Sequence, residues 1–364
     1  IKVEASKYTE VGYHGRDVES MVRELVEIAV GMIGSEMARA VRPQAERNAE
    51  ERLMERLYEP PRETPAETDR SEHRARTLQR LREMLRGGDL EQRPVEIEVT
   101  EKPIIVQGMV GGGEEMGVDM QGFLEQVLPS RSETRRMSVG EARKILIQQE
   151  TEKLIDRESL HRSAVQRTEE SGIIFVDEID KVAGRETGHG PDVSREGVQR
   201  DMLPIVEGSS VPTRYGVVQT DHILFIAAGA FTVAKPSDLI PELQGRFPIR
   251  VELNDLTRED FVRIMTEPKG ALTKQYRALL QTEGVELTFD DEAVEALAAY
   301  AYQVNQTAQN IGARRLYTIM ERMLEDLSFE APEMKLGRVV INKAYVTERL
   351  EALSQDDDLS KFIL

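Results

Sequence analysis

The sequence holds 364 residues, 40% hydrophobic and 31% charged, with a formal net charge of -18 and no cysteine. This is the composition of a globular protein large enough for two or three cores. The missing thiols exclude disulfides and thiolate metal sites and fit a reducing cytoplasm; the acidic balance, with no large basic stripe, excludes general nucleic-acid binding.

The chain opens on Ile1-Lys2-Val3-Glu4-Ala5, a strand already under way, so a chain cut at its N-terminus is expected. After the turn Gly12-Tyr13-His14-Gly15, the residues Val18, Met21, Val22, Leu25, Ile28, Ala29 and Met32 recur at three- and four-residue spacing, the pattern of an amphipathic helix. From about Glu36 to Thr100 Arg and Glu dominate while Pro60, Pro61 and Pro65 break the periodicity, which predicts an inserted, largely helical excursion. Val95 to Val99 alternates as a strand, Gly111-Gly112-Gly113 marks a flexible loop, and Ser138 with Glu141 forms a capping box that starts a helix reaching Asp156. Ile173 to Val176 has no polar alternation and predicts a central parallel strand covered on both faces, with Ile223 to Ala227 as a third strand of the same sheet. The run from Ile223 to Ala234 is the longest mostly apolar stretch and is too short to span a bilayer, so no membrane partner is expected. Beyond it, helices at Thr257–Thr266, Asp290–Gln303 and Ala313–Phe329 and strands at Val285–Phe289 and Val339–Ile341 predict a separate mixed region. The expected organisation is therefore an α/β core from residues 1–35 and 156–252, an inserted, mainly helical domain over 36–155, and a small α+β domain over 253–364. His73, His161, His189 and His222 are too dispersed for a metal cluster, and Asp356-Asp357-Asp358 reads as a solvated linker.

Chemistry concentrates at Asp177-Glu178, where the apolar strand ends. Open α/β sheets bind ligands at the carboxyl ends of their strands, so Asp177 can hold Mg²⁺ through water while Glu178 deprotonates an attacking water, which reads as a Walker B strand of an ATPase. The bland alternative is a strand that ends in a solvated acidic turn. In Pro241-Glu242-Leu243-Gln244-Gly245-Arg246-Phe247 an exposed Arg246 can reach a neighbour's nucleotide as an arginine finger, the alternative being a surface ion pair. Arg314 and Arg315 are adjacent on one helix and point in different directions. Tyr13 between Gly12 and Gly15 is an aromatic on a mobile mount, suited to gripping an unfolded chain, or else an ordinary packed turn. Phe362-Ile363-Leu364 is an apolar terminus that either folds back or docks into a partner. The chain has neither a Gly-x-Ser-x-Gly elbow nor a His-Glu-x-x-His pair, so peptidase chemistry of its own is not expected.

These residues, together with Gly190-Pro191-Asp192-Val193-Ser194-Arg195-Glu196-Gly197-Val198-Gln199-Arg200-Asp201, resemble the HslU (ClpY) ATPases, AAA+ unfoldases that partner the HslV peptidase, over essentially the whole chain. The resemblance implies an α/β AAA+ P-loop-type core, a hexameric ring with ATP between subunits, and substrates that are unfolded or tagged proteins. It implies that Asp177 belongs to the Mg²⁺ site and Glu178 is the catalytic base. Glu242 would contact nucleotide, Arg246 would be the finger acting in trans and Arg314 the sensor arginine. The loop Gly12, Tyr13, His14 and Gly15 would be the substrate pore loop, and Phe362, Ile363 and Leu364 would dock into and activate the peptidase. Two departures stand out. No phosphate loop of the form GxxGxGK[ST] occurs in the 364 residues, and the family carries it just ahead of the segment where this chain begins. The expectation is that the intact protein hydrolyses ATP and that these residues alone bind it weakly or not at all; the alternative is a nucleotide-dead regulatory subunit. His14 stands where the family loop has a small apolar residue, which makes substrate gripping dependent on pH near neutrality.

Overall fold

The chain divides into two units, Ile1–Ile249 and Arg250–Leu364. A computed structural model describes residues 1–10, 16–58, 67–101, 131–184, 195–307, 311–332 and 337–355. The predicted pore loop 12–15, the glycine run 111–113 and the terminus 362–364 lie outside the described residues.

In the first unit, β1 (Lys2–Glu4) leads to α1 (Ser20–Leu57), a single helix of 38 residues. The change in composition near Glu36 therefore falls inside a helix, and Pro43 does not end it. Packing on either side outweighs the missing backbone donor. Before Pro43, Met21, Val22, Leu25 and Val26 enter the sheet's core, and Ala29 and Ile33 pack against Ala164. After Pro43, Ala49, Leu53, Met54 and Leu57 enter a core of their own. That core is shared with α2 (Glu67–Gly87), the antiparallel pair β2 (Pro94–Glu101) and β3 (Arg131–Ser138), and α3 (Val139–Leu154). Helix α3 starts on the predicted capping box, Glu141 N–H donating to Ser138 Oγ at 3.3 Å and Ser138 N–H to the Glu141 carboxylate at 3.3 Å. Asp156 caps α4 (Arg157–Ser171), which returns the chain to the sheet.

Strand β4 (Ile173–Asp177) lies between β1 and a later strand, β7, and pairs with both in parallel. Between them come α5 (Arg195–Glu207), the hairpin β5 (Ser210–Thr213) and β6 (Gly216–Gln219), and then β7 (Leu224–Ala227); α6 (Pro241–Arg246) follows. Ile174 and Val176 are fully buried on one face, whereas Ile173 and Leu224 on the other are 49% and 54% exposed. Helices α1 and α5 pack on the side of Ile174 and Val176, which gives the expected coverage of that face.

The second unit alternates helices with one parallel strand pair. It comprises α7 (Arg258–Thr266), α8 (Leu272–Thr282), β8 (Glu286–Phe289), α9 (Asp291–Thr307), α10 (Arg314–Glu330), β9 (Arg338–Ile341) and α11 (Lys343–Gln355). Its core joins Phe261, Met265, Leu287, Leu297, Ile319, Met320 and Ile341, all buried. Burying each such side chain stabilises the unit by about 1.5–3 kcal/mol before chain entropy is counted. Among the described residues no helix is long and apolar enough to cross a membrane.

Candidate functional site

The apolar strand β4 delivers Asp177 to its carboxyl end, and the next residue turns sharply. Glu178 has φ 57° and ψ 34°, the left-handed region. For a residue with a Cβ this costs about 1–2 kcal/mol. Such an outlier persists only where its surroundings over-determine it, and here they do. Ile179 N–H donates to the Ala228 carbonyl at 2.9 Å, Ala228 N–H donates to Val176 at 2.8 Å, and Lys181 N–H closes the single helical turn onto the Glu178 carbonyl at 3.0 Å. A Cβ at Gly229 would stand 2.8 Å from Asp180 Oδ1 and 3.0 Å from its backbone nitrogen, so only glycine allows the segment after β7 to approach this closely.

The carboxylates have distinct partners. Asp177 accepts from Glu178 N–H at 2.9 Å and pairs with Lys2 at 2.7 Å across the β1–β4 register. Glu178 is exposed and accepts a hydrogen bond from Ser6 Oγ at 3.1 Å. Ser6, Tyr8, Glu178, Lys181, Val182, Arg195 and Val198 line a cleft of about 460 Å³. Burial, reinforced by the Glu24 carboxylate, pushes the Tyr8 phenol up to about 12, so this wall stays neutral. Mg²⁺ is ordinarily held by one or two carboxylates plus phosphate oxygens and water, rather than by a protein cage. Asp177, with its carboxylate 28% exposed at the strand end, fits that donor set.

Glu242 and Arg246 share the short helix α6, whose Leu243 is buried in the same core as Ile174, Val176 and Ile179. Arg246 pairs with Glu207 at 2.9 Å, the surface ion pair weighed as the alternative to a finger. Both side chains are more than a third exposed, and such a pair contributes at most about 1 kcal/mol, so it restrains the guanidinium only weakly. Arg314 opens α10 in the second unit after Gly312, which has φ +62°, and is exposed. Its neighbour Arg315 is 2% exposed, donates to Asn305 Oδ1 at 3.3 Å, and has its pKa lowered by burial. The structure thus brings Asp177, Glu178, Glu242 and Arg246 into one unit and puts Arg314 in the other.

Lys2, Ser6 and Tyr8 carry no mark of a site residue in the sequence, and Gln199 stands there only within the run from Gly190 to Asp201, with no role of its own. Lys2 and Ser6 meet their partners only through parallel pairing of segments more than 170 residues apart. Gln199 did carry a signal: it interrupts the apolar stripe of Val198, Met202 and Ile205.

Residues 100–250 match the family model of the AAA domain (Cdc48 subfamily), and residues 256–335 match the C-terminal, D2-small domain of ClpB protein. The whole chain is 52% identical to the ATP-dependent protease ATPase subunit HslU of Persephonella marina and 51% identical to that of Thermotoga maritima, covering 82% of each. It is also 52% identical, over its whole length and 83% of the relative, to the ATP-dependent protease ATPase subunit ClpY of Bacillus subtilis.

Proposed function

The chain belongs to the HslU (ClpY) family of ATP-dependent protease ATPase subunits, and from that premise we propose that it unfolds protein substrates, feeds them to a separate peptidase of the HslV kind and switches that peptidase on. The observation that carries the ATPase part is the strand end itself: two carboxylates at the tip of the central parallel strand, the second held in a left-handed turn that stands it clear of the sheet. Asp177 is positioned to hold Mg²⁺ through water, and Glu178, oriented by Ser6, to take the proton of the attacking water. Mg²⁺ held there would supply positive charge against the negative charge that develops on phosphoryl transfer. Glu242 contacts the nucleotide site, Arg246 leaves its weak pair with Glu207 to stabilise charge on a neighbouring subunit's γ-phosphate, and Arg314 acts as the sensor arginine.

In this reading the working form is a cytoplasmic homo-hexamer, with Gly12, Tyr13, His14 and Gly15 gripping substrate and Phe362, Ile363 and Leu364 docking into the peptidase. Residues 36–155 form its inserted domain, supported by their separate core. The test is Glu178→Gln in the full-length protein. ATP binding stays and turnover falls by roughly 10²–10⁴; unchanged turnover would remove Glu178 as the base, and no turnover in the parent protein would leave a nucleotide-dead regulatory subunit as the better reading. Deleting residues 362–364 separately tests docking: peptidase activation is lost while ATP turnover stays near the intact level.

A further inference from the structure

Helix α5 touches both halves of the proposed site. Gln199 is 1% exposed, and its amide donates from Nε2 to the Val182 carbonyl at 2.7 Å and accepts at Oε1 from Ile240 N–H at 2.8 Å. Only one orientation of the amide satisfies a carbonyl on one side and an N–H on the other, so the bridge has a defined sense. Val182 closes the turn that carries Glu178, its N–H donating to the Ile179 carbonyl at 3.3 Å. Ile240 immediately precedes α6, which carries Glu242 and Arg246. Two turns further along α5, Glu207 meets the Arg246 guanidinium. Thus α5 grips α6 at both ends, with a buried amide at its start and an exposed ion pair at its finish. A second tie runs parallel to the first, Gly184 N–H donating to the Asp238 carbonyl at 3.4 Å. An apolar side chain of equal length would fill the same space within the stripe of Val198, Met202 and Ile205 while leaving a buried carbonyl and N–H unpaired, so the amide's distinctive contribution here is the bridge.

We infer that Gln199 is a positioning residue for ATP hydrolysis. It fixes the start of α6 against the turn of Glu178, so that the base serving a subunit's own nucleotide and the arginine offered to the neighbour hold one spatial relation. This rests on the reading of Arg246 as the finger. Misplacement of a reacting group by ~1 Å can cost up to ~10²-fold in rate, which is the scale on which a lost bridge acts.

The test uses the assembled full-length ATPase with Gln199→Met, which keeps the volume and breaks both bonds, Gln199→Glu, which keeps the Ile240 bond, Arg246→Ala, and the Gln199→Met/Arg246→Ala double variant. Steady-state kcat and KM for ATP are measured beside ring assembly and thermal melting. Q199M is expected to lower kcat about tenfold or more with KM within about twofold, because an interaction realised in the transition state is lost. Q199E is expected to fall between Q199M and the parent, and it carries the test alone if Q199M does not fold. The double variant is expected to be no slower than R246A. Parental kcat in Q199M, or in Q199E where Q199M does not fold, overturns the inference, as does a double-variant loss equal to the product of the single losses. If R246A itself turns over at the parental rate, the finger reading fails instead, and with it the route assigned to Gln199.

Discussion

Strands β4 and β8 both run into acidic residues, and they end differently. Strand β4 runs into Asp177-Glu178, and β8 runs into Asp290-Asp291-Glu292. After β8 the backbone passes directly into α9: Asp290 N–H closes onto the Ile341 carbonyl at 3.1 Å, and its own carbonyl takes the N–H groups of Ala293 and Val294 at 3.1 Å. Asp291 and Glu292 then occupy the first turn of a 17-residue helix, where carboxylates favour the positive end of the helix dipole. After β4 no long helix follows. Glu178 takes a left-handed conformation, one helical turn closes, and the carboxylates are left to Lys2 and Ser6. The acidic residues alone do not distinguish a site from a helix start; the backbone that follows them does.

The sharpest way to break this contrast is to neutralise one carboxylate at each end. Glu178→Gln should lower ATP turnover of the full-length protein by roughly 10²–10⁴, the usual contribution of a general base. Asp290→Asn should leave turnover within the error of the assay, measured on equal amounts of folded protein. A comparable loss in both variants would mean that the second strand end also belongs to the site.

The close approach at Gly229 has no counterpart at the end of β8, where the chain enters a helix. Gly229→Ala puts a Cβ against Asp180 and should destabilise the first unit by about 1–3 kcal/mol as the segment after β7 shifts. Because the shift moves the turn of Glu178, turnover should fall too. Melting that matches the parent would show the segment yielding without strain.

Local signals made much of this legible. The unbroken apolar run of β4, the Ser138–Glu141 box and the helix and strand periods of the second unit all depend on residues within a few positions of each other. The contacts that shape the site do not. Ser6 and Glu178 are 172 positions apart and Gln199 and Ile240 are 41 apart, and in sequence Lys2 is merely the polar position of an alternating strand. The change in composition at Glu36 falls inside one helix, because a helix with apolar residues on successive faces can cross from one core to another without a break.

Strain at Glu178 offers a finer test. Glycine adopts φ 57° freely, so Glu178→Gly should be more stable than Glu178→Ala by about 1 kcal/mol, although both lack the base and turn over equally poorly. Equal melting temperatures for the two would mean that the left-handed turn stores no strain.

The smallest expected effect belongs to the other strand end. Asp291 sits in the first turn of α9, exposed, at the positive end of the helix dipole. Asp291→Asn keeps the side chain's shape and removes the charge, so its cost should be the dipole term alone, about 0.3–1 kcal/mol at low salt. The difference in melting temperature from the parent should shrink as ionic strength rises, since salt screens an exposed charge. At Glu178 the same change of carboxylate to amide should show the reverse balance, with little effect on melting and a large effect on turnover, because there the carboxylate stands on a turn held by backbone bonds that do not involve its charge.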